Sequence, residues 1–94
     1  RDPEMSRGLG DVYKRQVEAE WKKDSNASGY QVLYSTDKKM KKAKTMNCNK
    51  KDTTATIKNL KKNKTCYVKV RAYKTIDGKK YSGAYSDKMS VKVK

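Results

Sequence analysis

From residue 66 to residue 73 the chain alternates without a break. Cys66, Val68, Val70 and Ala72 fall on one side, and Tyr67, Lys69, Arg71 and Tyr73 on the other. Successive side chains of a β-strand point to opposite faces, so this period of two describes a strand with one buried and one wet face. A helix would scatter the same residues around its circumference. A sheet with one apolar face has to be covered by a second layer. No segment carries a sustained helical stripe, so the covering layer is expected to be another sheet.

The rest of the chain supplies the other strands. Val17, Ala19 and Trp21 alternate with Glu18, Glu20 and Lys22, and residues 24–29 hold turn chemistry. Tyr30, Val32 and Tyr34 then alternate with Gln31, Leu33 and Ser35. A short, lysine-rich edge strand is expected over residues 42–46, where charge discourages pairing with other chains. The threonine-rich run around Ala55 and Ile57 reads as a further strand ending toward Leu60. Asp77-Gly78 is the positive-φ pair of a tight type I′ hairpin, and residues 79–81 return from it. Met89, Val91 and Val93 form a closing strand. The expected core is Trp21, Tyr30, Val32, Tyr34, Ile57, Leu60, Cys66, Val68, Val70, Ala72 and Val91.

The chemistry for catalysis is thin. The 94 residues include no histidine and only two cysteines, Cys48 and Cys66, neither with a general base nearby in sequence. Two cysteines separated by seventeen residues do not make the paired ligand sets of a zinc site. An enzyme is therefore not expected, nor a cofactor or metal. No apolar run approaches the roughly 18 residues of a membrane helix. The net charge of +15 suits an acidic partner, but lysines on exposed strand positions also serve solubility alone.

Composition changes abruptly near Gln16. Three of the four arginines and the only proline precede it, whereas twenty lysines and one arginine follow. The run SRGLGDVYKRQ at residues 6–16 looks like the in-frame translation of a sequencing adapter, so residues 1–16 are read as a non-native, disordered tail. Residues 17–94 keep 21 basic against 7 acidic groups, a charge of +14, and form the domain proper.

Four pieces of that domain, in order and spacing, resemble a fibronectin type III domain. They are Trp21, SGYQVLYS at residues 28–35, TATIKNL at residues 54–60 and YVKVRAY at residues 67–73. YSGAYS at residues 81–86 looks like the variety found in bacterial surface proteins. The resemblance implies an all-β, immunoglobulin-like sandwich of two antiparallel sheets with its first strand missing or replaced. It further implies a spacer or interaction platform in a larger extracellular or cell-envelope protein, partnered by neighbouring domains. Anionic cell-wall polymers or carbohydrate are further partners under this reading, on an outer sheet face presenting Tyr67, Lys69, Arg71 and Tyr73; nucleic acid is not expected.

Cys66 stands where the resemblance places a corner tyrosine, whose hydroxyl bond a thiol makes poorly. In that topology Cys48 lies in a connection at the other end of the sandwich, about 20 Å away for a six-residue strand. A disulfide needs α-carbons within roughly 7 Å, so two free thiols are expected, Cys48 the more exposed.

Overall fold

The computed structural model describes residues 6–94. These form β1 (Ser6–Tyr13), β2 (Gln16–Trp21), β3 (Gly29–Ser35), β4 (Lys44–Asn49), β5 (Thr54–Ile57), β6 (Thr65–Ile76), β7 (Lys79–Ser82) and β8 (Met89–Lys92). One sheet has the order β1-β2-β5. The other runs β4-β3-β6-β7, with β8 also paired to β6. Every pairing is antiparallel. The expected all-β, two-sheet sandwich is what the chain forms.

β6 organises the larger sheet. At twelve residues it is long enough to pair with β3 along one side and with β8 and then β7 along the other. Residues 83–88 bridge those two partners as an irregular segment that stays bonded to β6. Gly83 N–H donates to the Ala72 carbonyl at 2.9 Å and Ser86 N–H to the Val70 carbonyl at 2.7 Å. The Val70 N–H in turn donates to Ser86 Oγ at 3.0 Å. Asp77 and Gly78 have φ of 51° and 79°, the pair of left-handed residues that the hairpin between β6 and β7 requires.

The alternating residues of both sheets meet in one core. Val17, Ala19 and Trp21 of β2 and Ile57 of β5 join Tyr30, Val32, Cys66, Val68 and Val70 of the opposite sheet. Trp21 is 1% exposed, and its ring lies 5.5 Å from that of Tyr30, tilted by 49°. Its Nε1 donates to the Asp52 carbonyl at 3.1 Å, which satisfies the one polar atom of the indole. The Tyr30 hydroxyl accepts from Asp24 N–H at 2.8 Å and so closes the turn after β2. Truncating Trp21 to alanine would cost about 3–5 kcal/mol.

The structure departs from expectation in four places. The segment read as a disordered tail is a strand over residues 6–13, paired with β2 from Ser6↔Trp21 to Tyr13↔Gln16 with two register shifts. The cause is the free edge of β2, whose row of N–H and C=O groups takes up any compatible chain. Leu9 adds apolar contact with the core, which outweighs the entropic penalty of Gly8 and Gly10. The position beside β2 that was expected to lack its strand is therefore occupied, by residues 6–13. Residues 1–5, the rest of that tail, lie outside the described residues.

The edge strand lies over Lys44–Asn49 rather than residues 42–46. Lys42, at φ 54°, cannot belong to an extended strand. Continuing past Met46 carries Cys48 into β4 opposite Tyr30 and onto the core, rather than into a connection, while at 9% exposure against 0% for Cys66 it is still the more exposed thiol. Both thiols are free, as expected.

Finally, the fully enclosed residue at this end of the chain is Val93, just past β8, rather than Val91 within it. Val93 exchanges backbone bonds with the corner, Asn63 N–H to Val93 O and Val93 N–H to Lys64 O, both 2.8 Å. Those bonds draw its side chain inside. Val91, Tyr34, Leu60 and Ala72 are only partly buried, packed against the core rather than enclosed in it.

Candidate binding face

The strict alternation of β6 turns Tyr67, Lys69, Arg71 and Tyr73 outward together. The register with β3 sets them beside Ser35, Leu33, Gln31 and Gly29 respectively. All four outward residues of β6 are half-buried, so the face is covered by its own side chains.

Each ring on this face meets a cation from the chain itself. Lys80 Nζ stands 4.3 Å from the centre of the Tyr73 ring, and Lys88 Nζ stands 5.3 Å from that of Tyr67. The Arg71 guanidinium lies 4.4 Å over the ring of Tyr85, and its Nε donates to Gln31 Oε1 at 2.8 Å. Gln31 Nε2 donates onward to Asn47 Oδ1 at 3.2 Å, so the row extends across three strands to the sheet edge. Contacts of this kind contribute about 0.5–1 kcal/mol each at exposed sites.

Tyr73 has a second neighbour in Gly29. A β-carbon placed on that glycine would fall 2.6 Å from Tyr73 Cζ and 2.7 Å from the Cys48 carbonyl oxygen. The phenol therefore lies over bare backbone, and Gly29 is buried beneath it.

Sequence reasoning brought the four β6 residues together but missed Gln31, Lys80, Tyr85 and Lys88, which occupy them. Gln31 and Lys80 were within reach of a register argument. Tyr85 and Lys88 lie in the irregular bridging segment, which has no period to read. The geometry favours cross-strand packing: a ligand seeking these rings would have to displace the lysines and arginine already on them.

Neither thiol makes a second centre of chemistry. Burial pushes the Cys66 thiol up to about 11. Cys48 is also raised, first by burial and then by the nearby charge of Asp52. Both are protonated and weakly nucleophilic at neutral pH. Among the described residues no group of three His, Cys, Asp or Glu side chains is placed to hold a metal ion, and no helix is long and apolar enough to cross a membrane.

No family model matches the sequence, and no curated protein does. Solved structures do match the fold. The fn3 domain of human contactin 1 superposes with a TM-score of 0.78 at 18% identity, covering 99% of this chain and 79% of that one. The FN1–FN3 domains of chicken CNTN1 match with a TM-score of 0.76 at 18% identity, covering 92% of this chain and 28% of that one.

Proposed function

From a fold that is the fibronectin type III sandwich, we propose that residues 17–94 act as a non-catalytic module of a larger extracellular protein, a spacer or interaction platform for neighbouring domains. The observation that carries the proposal is the match to contactin 1. This chain corresponds to 28% of the chicken chain, about one domain of the FN1–FN3 series.

Two finer points belong to the same proposal. YSGAYS at residues 81–86 and the preference for lysine over arginine support a bacterial surface or secreted parent. The composition break near Gln16 supports an exogenous origin for residues 1–16, although residues 6–13 supply a working strand whatever their source. The outer face of β6 is not put forward as the binding surface, because its rings and its arginine are already engaged.

The test is the uninterrupted genomic reading frame around Val17. Further domains together with a secretion signal are the expected finding. A free-standing frame with neither, or one that embeds these residues in a catalytic domain, would overturn the proposal.

A further inference from the structure

An open cleft of about 730 Å³ lies at the end of the sandwich where β3 and β5 finish, between the loop after β3 and the corner after β5. Six of its twelve lining residues are lysines: Lys41, Lys42, Lys44, Lys58, Lys61 and Lys64. The whole chain has 21 lysines in 94 residues, so the cleft holds more than twice the average density. One acidic residue, Asp37, lines it. None of the six lysine side chains has a hydrogen-bond or ion-pair partner among the described residues.

Both walls are fastened by bonds that do not involve the ammonium groups. On one side Ser35 Oγ donates to the Lys41 carbonyl at 2.8 Å and accepts from Asp37 N–H at 3.0 Å. On the other, Leu60 N–H donates to the Arg15 carbonyl at 3.1 Å and Lys64 N–H to the Lys61 carbonyl at 3.3 Å. Six like charges are therefore held around one concavity with a single carboxylate to offset them. Field lines concentrate in such a cleft, and an anion entering it relieves the repulsion. Tyr34 and Leu60, both partly buried, add apolar lining.

We infer that this cleft binds a linear polymer carrying esterified tetrahedral oxyanions, with phosphate or sulfate groups set along a flexible backbone. Lysine suits that ligand. Its ammonium is a compact charge with three rotatable donors that can follow oxyanions along a flexible chain, where the fixed fork of arginine would demand one orientation at each group. The apolar lining takes the hydrocarbon or sugar that links one oxyanion to the next. This site is distinct from the outer face of β6 and does not depend on the module proposal.

The test is fluorescence anisotropy of end-labelled poly(glycerol phosphate) and of labelled heparin across a salt series, with poly-glutamate as a carboxylate control. Lys42→Gln/Lys61→Gln removes one charge from each wall. Lys22→Gln/Lys23→Gln removes the same charge from an exposed stretch at the opposite end of β2. The cleft pair is expected to weaken binding about tenfold and to flatten the salt slope by about 1.5, with the distal pair changing affinity less than about twofold. Lys58→Gln/Lys64→Gln should repeat the cleft effect, and thermal melts check that each variant is folded. Cleft-dependent binding of poly(glycerol phosphate) alone identifies phosphate as the group read, and of heparin alone sulfate. Equal losses from cleft and distal pairs, equal binding of poly-glutamate, or no binding of either probe at low salt would each overturn the inference.

Discussion

Cys66 shows how one buried side chain ties stability to solvent conditions. Its ordinary value is 9.0, and burial moves it to about 11 in the folded protein. Because the folded value is the higher, the unfolded chain loses its thiol proton first. The contribution is complete below about pH 9 and fades as pH rises toward 11. Cys66→Ala removes the titration along with some packing. The stability advantage of the parent chain over this variant should therefore shrink by about 2 kcal/mol between those limits in urea titrations. A difference that stays constant with pH would show that the thiol ionises alike in both states. The position is also one where a resemblance to a family was informative: it marked residue 66 as a structural place and left the consequences of a thiol there to be worked out from burial.

β1 is the element whose behaviour was least apparent in advance. Its residues follow a composition foreign to the rest of the chain, and neither Gly8 nor Gly10 favours a strand. What decides its structure is the edge of β2, a property of another segment that no local pattern in residues 6–13 encodes. Leu9→Ala should lower stability by about 1–2 kcal/mol through lost contact with the core. Gly10→Ala should raise it by about 0.5–1 kcal/mol, since a β-carbon there meets nothing within 4 Å. If both variants melt like the parent, β1 contributes nothing to the fold. The strands with unbroken alternation, β2, β3 and β6, could be placed from sequence because each half-buried residue is read directly from its neighbours. β4 slipped by a few residues because its inner row carries only two apolar marks, Met46 and Cys48, beside Lys44. The lysine cleft was invisible for a different reason. Its two walls are far apart in sequence, and only the sandwich brings residues 41–44 and 58–64 to one opening.

At the scale of the molecule the dominant fact is charge. With a net +15 spread over a domain of this size, self-repulsion opposes the compact state, and the cleft is where that opposition is most concentrated. Salt shortens the range of the repulsion to about 8 Å at physiological strength. Raising sodium chloride from about 20 mM to about 500 mM should therefore raise Tm by about 5 °C, equivalent to roughly 1 kcal/mol for a chain of this length. A Tm that falls with salt would mean that attractive pairs outweigh the repulsive ones. The pairing of β6 with three different strands has a consequence of another kind. Among the described residues it is the only strand joining the β3–β4 ribbon to β7 and β8, so peeling it away leaves that ribbon on one side and two strands without a partner on the other.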